Sequence, residues 1–158
     1  MASTESAMRT VETIDDLAAL KGQSLGSSDW LLIDQERIDT FARVTGDESW
    51  IHVDVERAKA ELPGGRTIAH GMLTLSLLIY LGGNILAVKQ RSKGVNYGSN
   101  KVRFMYPVYC GDRIRLHRSL KDVVYQADSA RVTYDNVVEI EGQEKPAMVA
   151  ETVSVIYR

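Results

Sequence analysis

Thr67 to Val88 is a run of 22 residues without a formally charged side chain, and the half of the chain that follows it has a different hydrophobic period. The run is long enough to cross a bilayer. Only 14 of its residues are strongly apolar, however, and Thr67, His70, Thr74, Ser76, Asn84 and the pair Gly82-Gly83 interrupt it. That composition suits a helix buried in a protein core better than one in lipid. The expected helix starts near Ala69 and reaches about Gln90, with a kink at the two glycines.

From Asn96 onward apolar residues recur at every second position. Val102, Phe104 and Tyr106 alternate with Lys101, Arg103 and Met105; Ile114, Leu116 and Leu120 alternate with Arg113, Arg115, His117 and Lys121. Val132, Tyr134, Val138 and Ile140 form a third series, and Val149, Val153, Val155 and Tyr157 are assigned to one face of a fourth. Turn residues separate the series at Cys110-Gly111-Asp112, near Gln126 and at Glu141-Gly142-Gln143. This pattern predicts a four-stranded antiparallel meander with one apolar face. That face must be covered, and the uncharged helix is the element apolar enough to cover it. The expected architecture is α+β: a curved antiparallel sheet wrapped around a long central helix.

The first third carries shorter signals. Thr13-Ile14-Asp15-Asp16 resembles a capping box, and Gly22 stands where a short helix would stop. Leu25 to Ile33 reads as a strand. Asp34 is placed to cap a helix that ends near Thr45-Gly46, and Val53 to Leu62 reads as another, broken by Pro63-Gly64-Gly65. A chain of 158 residues fits one domain, 1–158, with 1–10 expected as a flexible tail. A net charge of −2 supplies no field for nucleic acid, and no membrane partner is expected. With Cys110 alone there is no intrachain disulfide, which suits the cytoplasm.

Two constellations carry chemistry. In Thr45-Gly46-Asp47-Glu48-Ser49-Trp50-Ile51-His52 a carboxylate and an imidazole lie five residues apart on a glycine-containing loop. Such a pair can hold a water molecule between a base and an orienting group; equally, Asp47 could cap the next turn and His52 could be a satisfied polar residue. In Ile68-Ala69-His70-Gly71-Met72-Leu73 the uncharged helix begins, where backbone N–H groups lack internal partners and Gly71 admits a ligand oxygen. Gly71 could instead serve only close packing. His70 reads as structural and His117 as solvated. Asp47, His52 and His70 also have the composition of a two-histidine, one-carboxylate metal site, and Lys89, Arg91 and Lys93 form a basic cluster after the helix.

The two motifs, in this order and with His70 eighteen residues after His52, resemble the MaoC-like dehydratases, which include the (R)-specific enoyl-CoA hydratases. The likeness extends through Asn96-Tyr97-Gly98, Lys101-Val102-Arg103-Phe104, Pro107-Val108 and Gly111-Asp112, covering about Leu25 to Arg115. It implies a hot-dog fold and a trans-2-enoyl thioester of coenzyme A as substrate. It also implies that Asp47 and His52 are catalytic and that the Gly71 N–H binds the thioester oxygen. Tyr97, Gly98 and Arg103 fall in the matched segment and are expected to contact substrate. The family loop usually reads Gly-Asp-x-Asn-Pro-Leu-His; Ser49-Trp50 stands here in place of Asn-Pro. No metal or other cofactor is required by this chemistry. Because a lone hot-dog sheet leaves an edge strand open, a homodimer is expected, with Asn96 to Tyr106 as the contact strand. Two other readings remain: an acyl-CoA thioesterase, and a non-catalytic acyl-thioester-binding subunit.

Overall fold

The computed structural model describes residues 7–158. The chain opens with strand β1 (Arg9–Val11), a 3-10 turn over Ile14–Leu20, and strands β2 (Ser24–Ser27) and β3 (Leu31–Leu32). Thr13 and Asp16 form the expected capping box. Part of the expected tail is therefore a strand from Arg9, while 1–6 lie outside the described residues. The strand expected over Leu25 to Ile33 is split in two.

Asp34 accepts a hydrogen bond from Arg37 N–H and caps α1 (Gln35–Thr45), which ends at Gly46 with φ of 75°. One further turn, α2 (Trp50–Val53), leads into α3 (Val55–Glu61). The apolar segment then forms α4 (Gly71–Ser76) and α5 (Leu78–Gly82), joined at Leu77. Thus the helix is much shorter than the Ala69–Gln90 expected. Past Gly83 the chain turns extended, as β4 (Leu86–Val88), because β1 pairs with it in parallel and takes its backbone hydrogen bonds. Arg9 N–H donates to Ile85 C=O, and Lys89 N–H to Val11 C=O.

The remaining strands are β5 (Lys93–Phe104), β6 (Arg113–Gln126), β7 (Ser129–Ile140) and β8 (Met148–Tyr157). Among the described residues they form, with β2 and β3, a six-stranded antiparallel sheet of order β2-β6-β7-β8-β5, β3 also pairing with β6. It is not the simple meander expected. β2 and β3 occupy the free edge of β6, so β5 crosses over to pair with β8. Register shifts at Asn96/Gly98, Ser99/Lys101 and Leu120/Asp122 bend the strands.

The inner face carries Ile114, Leu116 and Leu120 of β6 and Val132, Val138 and Ile140 of β7, all essentially inaccessible and packed with Ile38, Leu73, Leu78 and Leu81. Each such side chain contributes about 1.5–3 kcal/mol by leaving water. On β8 the inward residues are Met148, Ala150 and Ile156, not the Val149–Tyr157 series expected. Pairing of Met148 with Val138 and of Ala150 with Asn136 sets this register, and a one-residue difference reverses the faces. Val153 and Val155 are buried as well, so β8 is apolar on both faces and its sequence cannot distinguish them.

The helices are covered on one side only. Leu73, Leu78 and Leu81 are buried, whereas Met72, Ile79 and Tyr80 are exposed, which corrects the expectation of a helix buried nearly all round. β5 is exposed along nearly its whole length, with Val95, Tyr97 and Phe104 in the open. Among the described residues no helix is long and apolar enough to cross a membrane.

Candidate active site

The left-handed Gly46 turns the chain off the end of α1 into Asp47, and α2 lifts His52 toward the start of α4. His52 therefore sits on a single helical turn rather than in an open loop. Its Nδ1 lies 2.5 Å from the Ile68 carbonyl. A carbonyl can only accept, so Nδ1 carries the proton and Nε2 presents its lone pair. That Nε2 is 3.9 Å from Asp47 Oδ2, too far for a direct hydrogen bond. A water placed beside both atoms can bond to each. His52 is 8% exposed overall while the Asp47 side chain is 58% exposed, so the pair joins a buried base to a carboxylate open to solvent.

His70, the residue before α4, holds this arrangement from beneath. Its ring stacks on His52 with centroids 3.7 Å apart and planes 23° apart, and touches Phe41 at 5.0 Å. Its Nε2 donates to the Asp47 carbonyl at 2.9 Å, fixing the backbone that carries the carboxylate. Gln35 adds a second tie. Its amide donates to the His52 carbonyl and to Asp39 Oδ1, while its oxygen accepts from the Thr67 hydroxyl. From the sequence alone Gln35, Thr67 and Phe41 have no role in the site, Thr67 being read only as an interruption of the uncharged run; the i, i+4 spacing of Gln35 and Asp39 on α1 is the signal that could have found Gln35.

Gly71 is the first residue of α4, so its N–H has no partner within the helix. A Cβ there would stand 3.0 Å from the Phe104 ring, so a bare backbone is what lets β5 approach the helix start. The structure thus brings Asp47, His52, His70 and Gly71 into one neighbourhood. It does not bring Tyr97, Gly98 or Arg103 into hydrogen-bonding contact with the pair. Tyr97 lies under the Arg131 guanidinium, 4.5 Å from ring centroid to Cζ. Gly98 lines a cavity farther along the helix, and Arg103 donates to the neighbouring Val102 carbonyl.

Other expectations also shift. His117 is not simply solvated: it bonds to Ser27 Oγ at 2.6 Å and Glu139 Oε2 at 2.5 Å, tying β2 to β7 across β6. The basic cluster is dispersed, with Lys89 paired to Glu12, Lys93 over the Tyr157 ring and Arg91 on the cavity wall. Asp47, His52 and His70 do offer ligand atoms within 4.8 Å of one another. The two imidazole planes are nearly parallel and stacked, however, which opposes convergence of both lone pairs on one ion about 2 Å from each.

Residues 16–142 match the family model described as the MaoC like domain. The chain belongs to the MaoC-like dehydratase family. A 3-hydroxyacyl-thioester dehydratase Z of Mycobacterium tuberculosis is 48% identical over 147 residues, covering 92% of this chain and 97% of the relative. Nodulation protein N of Rhizobium leguminosarum is 42% identical over 146 residues, 91% of each chain. R-hydratase PhaJ1 of Pseudomonas aeruginosa superposes with a TM-score of 0.70 at 23% identity, over 87% of this chain and 81% of that one, which supports the hot-dog fold. This MaoC-like chain is accordingly an enzyme of the dehydratase, or hydro-lyase, class, and the family resemblance read from its motifs is borne out.

Proposed function

We propose that this MaoC-like enzyme adds water across the double bond of a trans-2-enoyl-CoA to give the (R)-3-hydroxyacyl-CoA, and catalyses the reverse dehydration at the same site. The observation that carries this reading is the His52 Nε2 lone pair facing Asp47 Oδ2 across 3.9 Å. A water held there gives up a proton to the pair as its oxygen bonds to C3. The double-bond electrons move toward the thioester carbonyl, and the developing enolate oxygen is met by the Gly71 N–H. Electrons return to form the C2–H bond with a proton delivered by the pair on the same face. Because the two groups share one water they act as a coupled unit, and the proton is not assigned to either.

The acyl chain runs from Gly71 along β5 past Gly98; Tyr97, stacked under Arg131, and Arg103, paired with Val149, lie on the other face of the sheet and do not face it. A second copy of the chain completes that wall. β5 is a 12-residue edge strand, and the exposed Val95, Tyr97 and Phe104 lie on it while Met72, Ile79 and Tyr80 line the open side of α4 and α5. Light scattering at micromolar concentration is expected to give a dimer, and a monomer there would count against the shared wall. Activity is tested by loss of the enoyl-thioester ultraviolet band with crotonyl-CoA and longer homologues, with chiral analysis of the product. Formation of the (R)-alcohol supports the reading. Thiol release without hydration points to a thioesterase, and binding without turnover to a non-catalytic subunit.

A further inference from the structure

At the other end of the α4–α5 pair stands a second polar cluster. Arg118 lies on the inner face of β6 between Leu116 and Leu120, half-buried, with its guanidinium turned toward α5. Nε donates to Asn136 Oδ1 at 2.8 Å, Nη2 donates to the Leu78 carbonyl at 3.2 Å, and the group sits 4.8 Å from the Tyr134 ring centroid. Nη1 occupies the place a side chain at position 82 would take: a Cβ on Gly82 would be 2.0 Å from it. Burial draws the Arg118 pKa down, and no carboxylate among the described residues pairs with it. Such a cation is costly to keep without a counter-charge.

Arg118 forms part of the wall of a cavity of about 610 Å³ between α5, β4 and strands β5 and β8. The cavity lining includes the apolar Leu75, Leu78, Ile79, Leu86 and Ile156. It also includes Arg118, Tyr134, Thr152, Ser154 and Arg91, and no aspartate or glutamate is among the lining residues. Apolar side chains together with two cations and five hydroxyls fit a ligand with a hydrocarbon body and an anionic end. We propose that this cavity receives the far end of an acyl chain terminating in a carboxylate, so that the enzyme takes ω-carboxyacyl thioesters, with Arg118 as the group that selects them. The proposal rests on the reading that the thioester is held at Gly71. Gly71 and Gly82 are the ends of the helix pair, about 16 Å apart at 1.5 Å per residue. The carboxylate must therefore sit at the end of a medium-length chain, not a short one. Coenzyme A phosphates offer a similar charge, but the depth of Arg118 and the apolar approach favour an anion carried by the acyl chain.

Isothermal titration calorimetry distinguishes these sources. Two saturated medium-chain thioesters of equal length, one ending in methyl and one in carboxylate, are each prepared on coenzyme A and on N-acetylcysteamine, which has no phosphate. The protein is expected to bind the carboxylate-ended form about tenfold more tightly in both series, as one charge-assisted hydrogen bond in a buried site provides. Arg118→Met should erase that preference, and Arg118→Lys should keep part of it. Because Arg118→Met could disturb folding, Gly82→Ala, whose methyl displaces Nη1, gives an independent variant that should also lose the preference, with circular dichroism confirming the fold. Equal or absent binding of the two wild-type ligands, preference confined to the coenzyme A series, or preference surviving in folded Arg118→Met overturns the proposal. Binding with this preference but no turnover of the corresponding enoyl thioesters would instead overturn the hydratase reading and leave the subsite standing.

Discussion

The two ends of the α4–α5 helix pair are built by opposite means. At the N-terminal end, Asp47, His52, His70 and Gly71 come from one stretch of chain, held by the Asp34 cap, the Gly46 turn and the short turn of α2. At the C-terminal end, Arg118, Tyr134, Asn136 and Thr152 come from three strands and meet because sheet register puts them on one face. Local chain geometry makes the first cluster; long-range pairing makes the second. Changes at the first should therefore act on chemistry with little effect on folding, and changes at the second should act on packing and on what the cavity accepts.

The largest expected effect lies at the N-terminal end. Asp47→Asn and His52→Gln keep shape but remove the charge or the base. Each is expected to lower kcat at least about 10²-fold, the lower range for general acid–base catalysis. The double variant should be little worse than either single one, since the two share one water. Thermal denaturation should stay near wild type for Asp47→Asn, whose side chain is 58% exposed. Near-wild-type hydration by either folded variant would remove the pair from the mechanism and with it the contrast between the two ends.

The same contrast decides what could be read from the sequence. Asp34 and Gly46 are signals within a few residues of their effects, and the structure starts and ends α1 there as expected; the Asp47–His52 spacing is equally local, but His52 sits on a helical turn rather than in a loop. The inward series of β6 and β7 was legible because polar residues alternate with it. The β8 face was not, because Val153 and Val155 are buried on the side opposite Met148 and Ala150. The helix end was misplaced because Leu86-Ala87-Val88 is equally apolar as helix or strand, and its partner β1 lies far away in sequence. By position Arg118 continues the inward series Ile114, Leu116 and Leu120, but its charge kept it out of an apolar face. What the sequence could not show is what receives it there: Gly82, Asn136 and the Leu78 carbonyl, brought together by register and helix packing. The bond between Gln35 and Thr67 was not legible for the same reason: it joins segments 32 residues apart.

A pair of glycine variants sharpens the comparison in stability. At Gly82 an added methyl would lie 2.0 Å from Arg118 Nη1 and 2.5 Å from Cζ, and the guanidinium cannot yield without leaving Asn136 and Leu78. Gly82→Ala is expected to destabilise by about 1–3 kcal/mol, because the displaced guanidinium gives up its hydrogen bonds to Asn136 and Leu78. At Gly71 the methyl would meet the Phe104 ring at 3.0 Å, but Phe104 is 52% exposed and can swing outward. Gly71→Ala should therefore change stability by less than about 1 kcal/mol. Urea midpoints at constant m-value measure both. Equal midpoints would show that the far-end cluster yields as readily as the near one.

The smallest effect belongs to the outer face, away from both ends. Partial burial would raise the Glu139 pKa, but hydrogen bonds from Arg115 at 2.6 Å and from His117 outweigh it, and the net shift is downward from 4.5. A carboxylate depressed in the folded state releases its proton more readily there than in the unfolded chain. Its stabilisation is therefore present above the unfolded value and is lost as pH falls through the folded one. With its side chain about one-third exposed, the contribution is expected to stay below about 1 kcal/mol. Glu139→Gln should thus be slightly less stable than wild type at neutral pH, and the two denaturation midpoints should converge as the pH is taken below 4.5. Hydration rates at neutral pH should be unchanged, because Glu139 faces neither the Asp47–His52 pair nor the Arg118 cavity. A stability gap that stays constant across that pH range would mean that Glu139 acts through packing rather than charge.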